Sequence, residues 1–202
     1  MKRRGFLAAL PAMVVGLSVH PRGAAPSQDV EFIRAWERAQ QLRPRVLTSY
    51  ARIAPAAEPG MPLAIAGRVF DRDGRSPAAG ITVFAYHTDA QGIYDVRVNG
   101  PHSWRLKAWA LTDADGRFQF DTIRPAPYPN RNVAAHVHVD LYGPGLPRQS
   151  GGVLFDDDPL VSREERAESL TAGEFGSVLK VAVREGRQRV DYKVKIRDAD
   201  MF

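Results

Sequence analysis

The chain has 202 residues, 44% hydrophobic and 25% charged, which is ordinary for a soluble globular protein and fits one domain with an appended helical segment. The net charge of +5 falls to +1 once Lys2, Arg3, Arg4 and Arg22 in the acid-free first 27 residues are set aside, which leaves no basic surface for nucleic acid. Cysteine is absent, excluding disulfides, thiolate metal sites and cysteine nucleophiles, so any metal must be held by His, Asp, Glu or Tyr.

Residues 1–27 read as an export signal: a basic start, the apolar run GFLAALPAMVVGLSV, and small residues ending at Ala25-Pro26-Ser27. The run is too short and interrupted for a comfortable membrane span, and none is expected after signal removal. KRRGFL resembles the twin-arginine export motif, so the expected location is periplasmic or extracellular. That route carries folded proteins, which suits one that acquires a metal in the cytoplasm.

Residues 28–62 read as an N-terminal helix and a linker. In QDVEFIRAWERAQQLRPRVL, Val30, Ile33, Trp36 or Glu37, and Gln40 fall at helical spacing, with Asp29 to cap the helix and Pro44 to end it. This helix could cap the domain or pair between subunits of a homodimer. The Pro- and Ala-rich APAAEPGMP follows.

From 63 to 202 the pattern becomes short strands with turn punctuation. LAIAGRVF, ITVFAYH, WRLKAWALT, FQFDTI, VAAHVHVDLY, VLKVAVREG and RVDYKVKI are the candidates. Ser162 and Glu165 have capping-box spacing at the head of SREERAESL. The expected fold is mainly β: an antiparallel β-sandwich with an N-terminal helix and a short helix near residues 160–170. DADGRFQF lacks the twelve-residue calcium-loop pattern ending in Glu and reads as a hairpin turn. Asp156, Asp157 and Asp158 read as a solvated turn before a helix start.

The chemistry-bearing residues gather late in the sandwich. In PYPNRNVAAHVHV, His136 and His138 are one residue apart on an apolar run, so in a strand both imidazoles share a face with Asp140 behind them, while Val137, Val139 and Leu141 face the other way. Alone, this pattern also fits ordinary surface. Tyr128 stands between Pro127 and Pro129, which restrict the backbone around its phenol, and Tyr94 follows a turn that Gly92 permits. His87 and His102 read as ordinary polar positions.

Together, GRVFDRDGRSPAAGITVFAYHTDAQGIY, LTDADGRFQFDTIRPAPYP and AAHVHV resemble the intradiol ring-cleavage dioxygenases, in order and with family-like spacing over residues 63 to 158. The resemblance implies a mononuclear non-haem iron(III) site with Tyr94, Tyr128, His136 and His138 as ligands, and hard phenolate donors favour the ferric ion. It further implies an aromatic diol of the catechol type and O₂ as substrates, and a cis,cis-muconate-type product. Tyr128 would leave the metal and take up a proton, and Tyr86, Asn130 and Val133 would border the substrate.

Three positions depart from the family pattern. Val133 stands where an arginine is usual, with Arg131 the nearest substitute catalytic cation; Asn130 stands where a tryptophan is usual; and an expected glutamine falls near Gly152, with Gln149 out of register. Two other readings stay open: a non-catalytic transthyretin-like or carbohydrate-binding β-sandwich module, and an iron oxygenase whose chemistry has changed.

Overall fold

The computed structural model describes residues 30–94 and 104–198. The export segment and His102 lie outside them. Helix α1 (Val30–Gln41) is followed by strands β1 (Tyr50–Arg52), β2 (Pro62–Phe70), β3 (Thr82–His87), β4 (Leu106–Leu111), β5 (Arg117–Ile123), β6 (His136–Gly143) and β7 (Leu146–Phe155). Helix α2 (Arg163–Ala172), a 3₁₀ turn (Gly173–Phe175) and strands β8 (Val178–Leu179), β9 (Ala182–Arg184) and β10 (Arg187–Lys195) complete the chain. Among the described residues, no helix is long and apolar enough to cross a membrane.

The strands form two five-stranded sheets, ordered β1-β5-β2-β10-β9 and β4-β3-β6-β7-β8. Alternation sends Leu63, Ile65, Phe118, Phe120 and Val190 of the first sheet against Val83, Ala85, Val137, Val139, Val153 and Phe155 of the second, and these pack as one buried cluster. Most pairings are antiparallel, but β1 with β5, β10 with β2 and β7 with β8 run parallel. The DADG turn closes no hairpin: it joins β4 in one sheet to β5 in the other, with Asp113 Oδ1 accepting from the backbone N–H groups of Asp115 and Arg117. A local turn signal cannot say whether the chain returns beside its own strand or crosses the sandwich.

Every residue of β3 is buried, which demands a cover on both of its faces. The sandwich covers Val83 and Ala85; the outer side, Phe84 and Tyr86, packs with Trp104, Trp109 and the α1 residues Ala35 and Ala39. The docked stripe of α1 is rotated from the expected one: Ile33 is 39% exposed while the two alanines are buried. Small side chains let the helix come close, and polar edges fix it. Trp36 donates to Asp140 at 2.8 Å, while Gln40 accepts from Tyr142 at 2.6 Å and from Trp109 at 3.2 Å. The α2 capping box forms as its spacing predicts, Ser162 and Glu165 each bonding the other's backbone. Strand β7 was not anticipated, because Gly151 and Gly152 interrupt its apolar pattern.

Two polar groups lie deeper than their sequence context shows. His87, an ordinary polar position in the sequence, alternates away from Tyr86. It is fully buried, with Nδ1 2.6 Å from the Thr88 carbonyl and Nε2 2.6 Å from the Thr122 hydroxyl. Asp158 is likewise buried rather than solvated: its carboxylate accepts from Ala135 N–H at 2.8 Å and from Leu160 N–H at 2.9 Å, which pins the entry to β6. Removing such an acceptor orphans buried donors, so Asp158→Ala is expected to cost about 1–3 kcal/mol in a urea melt, where an unchanged midpoint would contradict this role.

Burial pushes the His87 imidazole down to about 4 against the opposing pull of its Thr88 bond and of Glu58. The unfolded chain takes up that proton near pH about 6.5. The stability carried by the neutral ring is therefore whole above that pH, and it is lost as pH falls towards about 4 at roughly 1.4 kcal/mol per unit. Denaturant melts of the metal-free chain across this window should show the decline, together with a neutral His87 ring by NMR down to the bottom of it; a ring that protonates near 6.5 would contradict it.

Candidate metal centre

The site is built on the outer face of the second sheet. The period of two in β6 places His136, His138 and Asp140 on that face, while Val137 and Val139 are locked into the core. A one-residue slip would bury both imidazoles in the sandwich. The two tyrosines come from separate loops. Gly92, at φ +80°, turns the chain before Tyr94, and a Cβ there would lie 2.0 Å from the Pro127 carbonyl oxygen, so this glycine lets the Tyr94 and Tyr128 segments touch.

The four side chains meet at one point. The Tyr94 and Tyr128 hydroxyls are 2.6 Å apart, Tyr128 Oη is 3.0 Å from His136 Nε2 and 3.4 Å from His138 Nε2, and the two Nε2 atoms are 3.1 Å apart. Donors bound about 2.0–2.2 Å from one ion lie about 2.8–3.5 Å from each other, so Tyr128 Oη and the two Nε2 atoms have the spacing of a shared coordination sphere, with Tyr94 Oη drawn closer to Tyr128 by their hydrogen bond. Four carriers of possible charge or lone pairs so close, with no acid bonded to them among the described residues, make a poor hydrogen-bond network and a candidate ligand set. Among the described residues, no group of three or more His, Asp or Glu could hold a metal ion, so a metal at this point would need the phenols as ligands.

The surroundings set the tautomers and the ring planes. His136 Nδ1 lies 2.8 Å from the Ala134 carbonyl, a bond in which Nδ1–H donates and Nε2 keeps its lone pair for the centre. His138 is stacked on Tyr86, its cross-strand partner, at 4.6 Å and 9°, and Tyr86 stacks in turn on Trp104 at 4.0 Å and 13°. Each such pair contributes about 0.5–1.5 kcal/mol beyond its buried area. Burial pushes the His138 imidazole down to about 3, so the ring is neutral. Burial also raises the Tyr94 phenol far above its ordinary value, with Tyr128 adding to the effect. Tyr128 is raised by burial too, against the bond from Tyr94 and the charge of Arg131. Without a cation both phenols are therefore protonated.

Behind the centre, Asp140 is buried and bonded by Trp36 and by Ser150 at 2.7 Å, and burial raises its carboxyl above the usual range. Asp140 thus ties α1 to the histidine-bearing strand. No local motif announced its partners, since Trp36 lies 104 residues away. Asp158 and the Tyr86–Trp104 stack were equally invisible.

The rim residues separate. Arg131 needs no strand bulge, because residues 131–135 precede β6 as a loop; its guanidinium carbon is 5.9 Å from the Tyr128 ring centre. Asn130 is exposed with φ 60°, a left-handed turn position that asparagine tolerates. Val133 is exposed on the same loop. Gly152 sits opposite His138 on β7 and leaves that flank open. Gln149 is no substitute for a side chain there. It lies opposite Leu141, and its amide is tied to the backbone of Arg197 at 2.8 and 2.9 Å.

Comparison with known proteins identifies the family and the fold. A dioxygenase family model matches residues 45–197. Catechol 1,2-dioxygenase 2 of Acinetobacter lwoffii is 26% identical over 57% of this chain and 48% of its own length. The protocatechuate 3,4-dioxygenase β chain of Burkholderia cepacia is 30% identical over 51% of this chain and 48% of its own. The chain thus spans about half the length of these relatives. Among solved structures, the dioxygenase domain of a dioxygenase carbohydrate-binding protein fusion from Streptomyces sp. SirexAA-E has TM-score 0.58 and 23% identity, covering 77% of this chain and 92% of that one. With a family match that takes in both sheets and every one of the four converging side chains, the chain belongs to the intradiol ring-cleavage dioxygenases.

Proposed function

We propose that this protein is an exported iron(III) dioxygenase that opens the ring of a catechol-type diol between its two hydroxylated carbons, with both atoms of O₂ entering a cis,cis-muconate-type product. The single observation that carries the reading is that Tyr128 Oη lies within hydrogen-bond distance of the Tyr94 oxygen and of both imidazole Nε2 atoms, which are themselves 3.1 Å apart. The donor set fits Fe(III): two hard phenolate oxygens, two imidazole nitrogens and no thiolate. Tyr94, Tyr128, His136 and His138 would hold the ion. When bound, it supplies Lewis acidity and the metal–diol covalency that makes a ring carbon reactive towards O₂.

The chain's own residues do the rest. Tyr128 is the half-buried ligand at the mouth, framed by two prolines, and is suited to take a proton from the incoming diol at its phenolate oxygen. Tyr94 lies deeper in the molecule and stays as the fixed anionic donor. His136 and His138, locked by the Ala134 bond and the Tyr86 stack, hold the geometry. Arg131 is the cation beside Tyr128 and would offset negative charge growing on the substrate. The open flank at Gly152 and the apolar Val133 favour a larger or less charged ring than protocatechuate. The KRRGFL motif and apolar run support export by the twin-arginine route.

Because both phenols are protonated without metal, titrating the metal-free chain with Fe(III) should release about two protons per ion beyond a protein-free blank, and a red-brown absorption from phenolate-to-iron charge transfer should grow in step. Tyr94→Phe and Tyr128→Phe should each remove about one of those protons and weaken the band. A colourless protein with no excess protons would contradict the site. Activity is tested by offering catechol, protocatechuate, hydroxyquinol and larger substituted diols to the iron-loaded protein while following O₂ uptake and product mass. A ring-opened product with two added oxygen atoms supports the proposal; no uptake with any diol contradicts it, and uptake with another product indicates altered chemistry. Arg131→Ala should lower kcat about 10²-fold with the visible band intact; unchanged turnover would remove Arg131 from the mechanism.

A further inference from the structure

Directly behind the histidine strand, between the two sheets, lies a cavity of about 250 Å³ whose walls include Val139, Leu141, Phe175 and Val194. It is on the opposite side of β6 from His136 and His138, so it is no part of the metal centre. It opens to solvent past the exposed Gly151, Lys195 and Arg197, and its volume is enough for one ring, since an apolar hole of about 150 Å³ already accepts benzene.

Three features distinguish it from a packing fault. Tyr192 lines the cavity with its ring buried, and its hydroxyl opens into the cavity rather than onto a hydrogen-bond partner among the described residues. Burial pushes that phenol up to about 12, so it is protonated and able to donate at neutral pH. The room for it is made by Gly151, where a Cβ would come within 3.2 Å of the Tyr192 oxygen. Finally, the mouth is cationic. Exposed Lys195 holds its ammonium 5.6 Å from the Phe175 ring centre, and Arg197 donates to the Ser150 carbonyl at 2.9 Å.

We propose that this cavity is a second ligand site, for a single-ring aromatic acid whose ring lies among Val139, Leu141, Phe175 and Val194, whose polar ring substituent bonds the Tyr192 hydroxyl, and whose carboxylate faces Lys195 and Arg197. Mainly apolar walls with a few polar groups, the Tyr192 hydroxyl among them, and a positively charged opening make the pattern of a small-molecule pocket. The site does not depend on iron, and it stands or falls separately from ring cleavage. A ligand there would press on Val139, the residue between His138 and Asp140 on the strand.

The test is methyl NMR of the full-length metal-free protein titrated with 4-hydroxybenzoate, with 4-hydroxybenzamide and benzoate as comparison probes. The methyls of Val139, Leu141 and Val194 should shift saturably, and those of Val133 on the other face should move less. Tyr192→Phe keeps the ring and should weaken 4-hydroxybenzoate about three- to tenfold while leaving benzoate nearly unaffected. Lys195→Gln, an exposed change, should weaken both acids but leave the amide unchanged. Shifts confined to Val133, no saturable shift at millimolar probe, or equal affinity in wild type and both variants would each overturn the proposal.

Discussion

The strict alternation of β6 is the constraint on which everything else rests. Val137, Val139 and Leu141 are buried in the sandwich, so the strand cannot slip by a residue without expelling part of the core. The same alternation fixes His136 and His138 side by side on the outer face. Core packing and site geometry are thus two consequences of one register. The hydrophobic effect holds the imidazoles in place without touching them.

A second layer finishes what the register begins. Asp158 pins the start of the strand through Ala135, and Asp140 ties its middle to α1 through Trp36. The Trp104–Tyr86–His138 stack sets the plane of one imidazole, while the Ala134 carbonyl sets the tautomer of the other. This leaves the His136 Nε2 lone pair, and the Nε2 edge of His138, facing the Tyr128 phenol. Burial then keeps both phenols protonated, so only a highly charged cation would make their phenolate forms worthwhile, as the proposed function requires. That dependence favours a small, hard, high-charge ion over a softer divalent one.

Much of this was legible in the sequence, because the strongest signals were local. Period-two alternation located most of the strands, and Ser162 with Glu165 marked the helix start. The His-x-His spacing predicted a shared face without any knowledge of the fold. What stayed hidden depended on distant partners. The stripe of α1 that docks, Ala35 and Ala39 rather than Ile33, was decided by the aromatic surface it meets. The burial of His87 and Asp158 depended on Thr122 and Ala135, and the crossing at DADG on which sheet received β5. Strand β7 was concealed by its two glycines, one beside His138 and the other under Tyr192.

The central claim is that two phenols and two imidazoles share a single ferric ion. The most direct measurement is anomalous X-ray diffraction at the iron edge from crystals of the iron-loaded protein. The account predicts one strong peak within about 2 Å of Tyr94 Oη, Tyr128 Oη, His136 Nε2 and His138 Nε2. A peak elsewhere, or iron bound with either tyrosine turned away in the absence of substrate, would contradict it.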